Sequence, residues 1–65
     1  MVYKFKTQDE NNSLEISKLN DNLIIELISR GNVDRVIELN KDSLYDFIGA
    51  LHSIKGKIEK EAING

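Results

Sequence analysis

The spacing of apolar residues changes at Asn40, and this change constrains the fold more than any other feature of the sequence. Before Asn40, apolar and polar residues alternate in short segments, as they do in strands with one buried face. After Asn40, apolar residues recur every three or four positions, as they do on one side of an amphipathic helix. The sequence therefore predicts an α+β fold, a four-stranded antiparallel β-meander followed by one C-terminal helix (ββββα).

The alternating segments are separated by typical turn sequences. We expect the strands within residues 2–7, 14–19, 23–29 and 34–39. Asn20-Asp21-Asn22 predicts a tight turn, because Asn and Asp tolerate left-handed backbone and bond to their own backbone. A three-residue loop at 31–33 would place Leu27 opposite Ile37, which keeps apolar side chains on one face. The same register would place Ile25 opposite Leu39.

The predicted helix has clear signals at both ends. Asn40 is a plausible N-cap, and Asp42 in the first turn suits the positive end of the helix dipole. We expect the lysines 55, 57 and 60 in the last turns, where the dipole favours cations. One side of the helix carries the apolar residues, which are Leu44, Phe47, Ile48, Leu51, Ile54 and Ile58.

The chain has 65 residues, no cysteine and one histidine, which predicts a single small domain over residues 1–65. A core of this size supplies about 3–5 kcal/mol of net stability, and small proteins add disulfides, metals or partner subunits. Without cysteine, neither disulfides nor thiolate metal sites can form. We therefore expect a homodimer, with no metal and no cofactor.

The net charge of −2 lacks the excess of Lys and Arg that is typical of nucleic-acid-binding proteins. No apolar run approaches the roughly 20 residues of a membrane span, and the N-terminus does not resemble a signal peptide. We therefore expect a cytoplasmic protein without a membrane partner.

Catalysis requires reactive groups within mutual reach, and the sequence does not predict such a set. The serines have only His52 as a possible base, and its neighbour Ser53 cannot face it on a helix. Residues 9–13 resemble the start of a calcium loop, but Leu14 stands where that loop needs Gly and Asn20 where it needs Glu. We therefore predict a protein that is not an enzyme.

Two apolar surfaces are candidates for a dimer or partner interface. Tyr45, Gly49, His52 and Gly56 share one flank of the helix, where two glycines suggest close approach of another backbone. The alternative is that both glycines are merely tolerated in a frayed helix. Ile24, Ile28 and Val36 form a second apolar face of the sheet, which needs a cover unless the sheet curves enough to bury it.

Arg30 and Arg35 flank the turn that contains Asn32, and these three residues are the candidate ligand-binding group. Arginine side chains suit phosphate and carboxylate ligands. The alternative is that Arg30 pairs with Asp34 across the hairpin, a common and weak exposed ion pair.

From Leu14 to Lys60, the chain resembles the positive cofactor four family, transcriptional coactivators that bind single-stranded DNA on a whirly-like curved sheet. The resemblance lies in the junction of residues 37–44 (Ile-Glu-Leu-Asn-Lys-Asp-Ser-Leu), where a strand runs into an amphipathic helix that continues with Phe47 and Leu51. It implies a dimer formed largely through the helices and a strand of DNA across basic and aromatic residues of the sheet.

The DNA-contacting positions of that family are not retained. The family's basic and aromatic hairpin aligns with Leu19, Asn20 and Asn22, and one of its arginines aligns with Ile28. The connection before the last strand is also shorter here. Without cations and rings at these positions, the electrostatic and stacking contributions to single-strand binding are largely missing.

The sequence thus supports two hypotheses of different classes. The first is a small dimeric binding protein with a protein or small-ligand partner, such as an accessory or inhibitory protein of a phage or mobile element. The second is single-stranded nucleic-acid binding of the positive cofactor four type. Neither residue pattern nor composition names the partner.

Overall fold

A computed structural model describes residues 1–64 and the side chains of residues 1–62, so Gly65 lies outside the described residues. It confirms the ββββα arrangement. The elements are β1 (Tyr3–Lys6), β2 (Asn12–Leu19), β3 (Asn22–Ser29), β4 (Asn32–Leu39) and α1 (Lys41–Asn64). The four strands form one antiparallel sheet in the order β1-β2-β3-β4, so each strand pairs with its neighbours in the chain.

The strand register gathers apolar residues on one face of the sheet. Tyr3 lies opposite Ile16, Ile16 opposite Ile25, and Ile25 opposite Ile37. Directly opposed residues point to the same side of a sheet, and alternate residues of one strand share a face. The apolar sheet face is therefore made of Tyr3, Phe5, Leu14, Ile16, Leu23, Ile25, Leu27, Ile37 and Leu39.

The predicted pairing of β3 with β4 was wrong by two residues. Ile25 lies opposite Ile37 and Leu27 opposite Arg35, because the connecting turn is a two-residue turn at residues 30–31 and a bulge then adds one residue to β4. Arg30 and Gly31 form this turn with φ angles of 53° and 82°. Positive φ at both central positions is typical of the type I′ turn that two-residue hairpins prefer. A shift of two residues preserves the face of every side chain, which is why the apolar sheet face still forms.

A β-bulge between Leu27 and Ile28 adds one residue to β4, since Ile28 pairs with Val33 and Leu27 with Arg35. Asp34 is the extra residue. The predicted turn at 20–22 is confirmed, because Asn20 has a φ of 56° and Leu19 pairs with Asn22 across it.

The start of α1 follows the sequence signals. Asn40 is its N-cap, because the backbone N–H of Ser43 donates to Asn40 Oδ1 at 2.9 Å. Asp42 lies in the first turn as predicted. The helix extends to Asn64, so Lys60 and the lysines before it precede the last turn, which contains no basic residue among those described.

The helix moves away from the sheet after its first turn. Of its described side chains, Leu44 is half-buried and the rest are exposed. Exposure of its apolar side rises along the chain, from 38% at Phe47 to 48% at Leu51 and 60% at Ile58. The sheet therefore covers the beginning of α1 and leaves most of its length in solvent.

The buried residues belong to β3. Ile24 and Ile25 are each 8% exposed, on opposite faces of the sheet. β3 lies between β2 and β4, and this central position gives both isoleucines neighbours on either side. The core within one chain is therefore a small cluster around one strand.

The single chain is more extended than its length predicts. Its radius of gyration is 14.0 Å, whereas a domain of this length has about 11 Å. It exposes 5767 Å², and a folded monomer of this mass exposes about 4,200 Å². The excess of about 1,500 Å² reflects surface that a typical monomer of this mass would bury.

Candidate interaction surfaces

A long uncovered surface of the described chain is the apolar side of α1. We call it the helix stripe and define it as Leu44, Phe47, Ile48, Leu51, Ile54 and Ile58. Shallow concavities run along it, one lined by Ile48, Leu51, His52 and Lys55 and another by Leu51, Ile54, Lys55, Ile58 and Glu59. Contiguous exposed apolar surface of this kind marks an interaction site more often than a free surface.

The predicted glycine flank (Tyr45, Gly49, His52 and Gly56) lies beside the Ile48 edge of the helix stripe. A Cβ atom built on Gly49 or Gly56 meets no other atom within 4 Å. Tyr45 is also exposed, at 60%. The flank is open in the single chain, so no contact with another described element requires glycine at either position.

The predicted second sheet face contains Ile24, Ile28 and Val36, and the structure places all three on the same side. They differ in burial, since Ile24 is buried, Ile28 half-buried and Val36 exposed. Glu26 lies between the two isoleucines and directly opposite Val36. A charged residue thus divides this face into a covered part at Ile24 and an open part at Val36.

The predicted ligand group is spread along the β3–β4 hairpin. Arg30 occupies the turn, Asn32 begins β4, and Arg35 lies on the apolar sheet face opposite Leu27. The expected ion pair between Arg30 and Asp34 is not formed among the described side chains, where the ion pair present joins Lys55 to Glu59 at 3.5 Å. The role of the three residues as a ligand site stays a prediction.

A concavity that contains two lysines, which we call the basic concavity, lies at the edge of the sheet and was not predicted from the sequence. It has a volume of about 550 Å³ and includes Lys4, Lys6, Ser13, Ile28 and Gly31. Lys4 lies opposite Glu15, and Lys6 opposite Ser13. In the sequence, the signal for this concavity was the alternation of Lys4 and Lys6 in β1. The β3–β4 hairpin contributes Ile28 and Gly31 to the lining, and only the fold shows that this hairpin lies near the two lysines.

A smaller concavity of about 380 Å³ lies where the β2–β3 turn meets the start of α1. Its lining combines cations, amides and apolar side chains, which are Ser17, Lys18, Asp21, Asn22, Leu23, Lys41 and Leu44. Beside it, Asn22 Nδ2 donates a hydrogen bond to Glu38 Oε2. This bond joins β3 to β4 near the start of the helix.

The loop between β1 and β2 is held by its own polar groups. Thr7 Oγ1 donates to the carbonyl oxygen of Asp9 at 2.6 Å, and Asp9 Oδ1 accepts from the backbone N–H of Asn11 at 3.0 Å. The backbone N–H of Arg30 donates to the carbonyl oxygen of Asn11 at 2.8 Å, which places the β3–β4 turn beside this loop. These hydrogen bonds therefore fix the β1–β2 loop against the β3–β4 turn at one end of the sheet.

Comparison with protein-family models, with curated proteins and with solved structures finds no match. Within residues 1–64, no group of three or more metal-ligating side chains lies close enough together to hold a metal ion. No helix among the described residues has both the length and the apolarity needed to cross a membrane. Function must therefore be argued from the surfaces of the chain itself.

Proposed function

We propose that this chain is a small non-enzymatic binding protein that works as a homodimer and acts on a protein or small-ligand partner. The observation that supports the proposal is the exposed helix stripe. Five large apolar side chains after Leu44 have more than a third of their surface in solvent, and they occupy one side of a helix. Complete burial of a fully exposed side chain of this size contributes about 1.5–3 kcal/mol. These side chains are 38–60% exposed, so each can contribute only part of that amount to an assembly.

The amount of uncovered surface suits a dimer. A standard interface buries about 800 Å² on each partner, and obligate dimers bury more. The chain exposes about 1,500 Å² beyond what its mass predicts, which is the scale of an obligate interface. A second copy supplies a matching apolar surface by symmetry, since each copy carries both a helix stripe and an exposed apolar sheet face.

The apolar sheet face is the second surface that a dimer would cover. Tyr3 and Phe5 are 55% and 49% exposed there, although their neighbours on β2 are half-buried. We propose that the dimer buries the helix stripe together with part of this face. The glycine flank, one interface candidate from the sequence, borders the helix stripe, whereas Val36 lies on the other face of the sheet, opposite Glu26.

Light scattering tests the dimer directly. At micromolar concentration the protein should have twice the 7.4 kDa mass of one chain. Leu51→Glu places a charge in the middle of the helix stripe and should give a folded monomer or weaken the dimer at least tenfold. The matched control is Ser53→Glu, which adds the same charge on the opposite side of α1 and should remain dimeric. A wild-type monomer at high concentration contradicts the proposal.

The glycine flank has a separate test. Gly49→Leu adds a large side chain where the single chain has open space, so the monomer should tolerate it. It should disrupt the dimer if another backbone approaches Gly49. A stable dimer of Gly49→Leu would exclude the flank from the interface and leave the helix stripe in place.

The concavity at the β2–β3 turn supports the small-ligand form of the proposal. Its volume of about 380 Å³ lies at the lower end of the range for ligand sites. A thermal-shift screen of small anionic metabolites should find compounds that stabilise the wild type and not Lys41→Ala. Equal stabilisation of both proteins would place any bound compound elsewhere.

Single-stranded nucleic acid is a second candidate, and Lys4 and Lys6 are the observation that favours it. Both line the basic concavity of about 550 Å³. Glu15 lies opposite Lys4 and Glu26 lies opposite Glu15, so the cations share their face with acids. We therefore expect weak binding whose affinity falls about tenfold for each tenfold rise in salt. Submicromolar binding with a steep salt dependence would make this the principal function.

A further inference from the structure

We infer that two copies of the chain join through the outer edges of β4, antiparallel about a twofold axis at Ile37, so that their sheets continue as one eight-stranded sheet. This inference rests on the proposed homodimer and specifies how its subunits meet.

The two edges of the sheet differ in how well they are protected. β1 is four residues long and presents Lys4 and Lys6. Short edge strands and edge lysines are common devices that prevent a sheet from pairing with another strand. β4 is eight residues long, contains neither Lys nor Pro, and has seven exposed residues. β4 is therefore the edge that is suited to pairing.

The outer backbone groups of β4 have no partner strand among the described residues. Pairing involves β3 on one side, and β4 is the last strand of the sheet order. The backbone hydrogen bonds outside the helix and strands lie at Asn12, Arg30 and Leu44, away from this edge. An edge of this length presents a row of N–H and C=O groups that can accept another strand.

Charge selects one register for pairing β4 with its own copy. Directly opposed residues of two antiparallel strands point to the same face, and residues on one face of a strand are an even number of positions apart. In a twofold-symmetric pair, one residue on the axis is therefore always opposed to its own copy, and that residue defines the register. An axis at Asp34 or Arg35 opposes each to its own copy, and an axis at Val36 opposes Asp34 to Glu38. Each of these registers therefore opposes like charges, which is destabilising.

An axis at Ile37 avoids every such contact. It opposes Ile37 to itself, Val36 to Glu38 and Arg35 to Leu39, and it leaves the bulge at Asp34 outside the paired segment. Among registers that pair five or more residues of β4, it is the one without like charges in opposition. It also brings Ile37, 38% exposed on the apolar sheet face, against its symmetry mate.

A second copy fits this edge better than a foreign strand, because α1 begins close to it. Lys41 follows Ile37 by four residues, so each helix starts about 13 Å along the chain from the axis. The 24-residue helix spans about 36 Å. One twofold axis thus brings a second helix stripe into the assembly together with the paired edges, whereas a foreign strand would leave the helix stripe of the chain exposed.

Disulfide trapping tests the register, and the absence of cysteine from the sequence makes every introduced thiol unique. Opposed residues in antiparallel strands have Cα atoms about 4.5–5.5 Å apart, within the range that disulfides span. Under mild oxidation, Ile37→Cys should give a covalent dimer at least tenfold faster than the control Ser53→Cys on α1.

A mixing experiment keeps Ile37 intact. Val36→Cys and Glu38→Cys are both at exposed positions. Oxidised separately, neither should cross-link rapidly, but an equimolar mixture should form the mixed disulfide because the two positions are opposed across the axis. Rapid cross-linking of Val36→Cys with itself would overturn the Ile37 register.

The outcomes separate this inference from the proposed function. A dimer by light scattering with no trapping at positions 36–38 overturns the strand pairing and leaves the homodimer standing. A monomer by light scattering overturns both. A dimer that traps at Ile37 and in the mixture supports both.

Discussion

β3 and α1 carry comparable apolar side chains but differ in what covers them. β3 has a strand on each side and buries Ile24 and Ile25, whereas α1 leaves its first contact with the sheet and exposes its apolar side increasingly along the chain. β3 has apolar residues on both faces and α1 has them on one side. Other residues of the same chain cover most of those of β3 but leave most of those of α1 exposed. An apolar pattern in the sequence thus predicts that a surface is buried, but it does not predict whether the same chain or another molecule covers that surface.

A matched pair of truncations tests most directly whether β3 and α1 differ in how well their apolar side chains are covered. Ile25→Ala should cost about 2–5 kcal/mol, because it opens a cavity in the core. Ile54→Ala should cost nothing in the monomer and stabilise it by a few tenths of a kcal/mol, because alanine has the higher helix propensity. Urea unfolding at low protein concentration measures both. Equal losses would mean that α1 is as well covered as β3.

Concentration should affect α1 through the dimer. Dilution from about 100 times the dimer dissociation constant to well below it removes about 2.7 kcal/mol of stabilisation. Circular dichroism of thermal unfolding at several concentrations should therefore show a falling midpoint on dilution. The Leu51→Glu variant is the control, and its midpoint should depend on concentration less than that of the wild type, or not at all if the variant is a monomer.

The β3–β4 turn offers a test that is local to the sheet. Gly31 has a φ of 82°, so Gly31→Ala should destabilise the fold by about 1–2 kcal/mol. The loss should be the same in monomer and dimer, since the backbone strain of alanine at this φ is local to the turn. Unfolding of Gly31→Ala in the wild-type and Leu51→Glu backgrounds checks this equality.

Gly49→Ala tests whether the glycine flank of α1 contacts the second copy or faces solvent. Alanine has open space there and is favoured over glycine in a helix by about 1 kcal/mol. This gain should appear in full in a monomeric background. A loss of stability in the dimer alone would show that the glycine flank contacts the second copy, and an equal gain in both would show that it faces solvent.

The smallest expected effect is at Arg30, a non-glycine residue with a φ of 53°. Arg30→Asn should stabilise the hairpin by a few tenths of a kcal/mol, because Asn-Gly is a favoured type I′ sequence. A paired measurement of Arg30→Asn and Arg30→Gln separates the turn effect from loss of the charge. Equal effects of both variants would contradict a role for turn conformation.

The order and type of the elements could be predicted because the apolar period is clear on each side of Asn40. The N-cap was predicted from residue type and is confirmed by its hydrogen bond to Ser43. The β3–β4 register was predicted two residues out of place, because a bulge and a two-residue turn produce the same pattern of faces as a three-residue loop. A shift of β4 by two residues along β3 leaves every side chain on the same face, so side-chain alternation in the sequence cannot distinguish the two registers.

The surfaces were harder to predict than the fold. The sequence shows that Leu51 and Ile58 belong to an apolar side of α1, but the direction in which the helix leaves the sheet depends on the geometry at Asn40. Ile24, predicted to need a partner, is already buried, whereas Val36 on the same face is exposed. The difference follows from the place of each strand, since β3 lies inside the sheet and β4 at its edge, and the period of the apolar residues is the same in both.

The unequal edges of the sheet have a consequence for assembly size. If β4 pairs with its own copy, both outer edges of the resulting sheet are β1, four residues long and bearing Lys4 and Lys6. A third chain would meet two rows of repelling cations and too short a strand to add to. Growth would therefore stop at two chains, and the residues that end the sheet would also keep it from polymerising into fibrils.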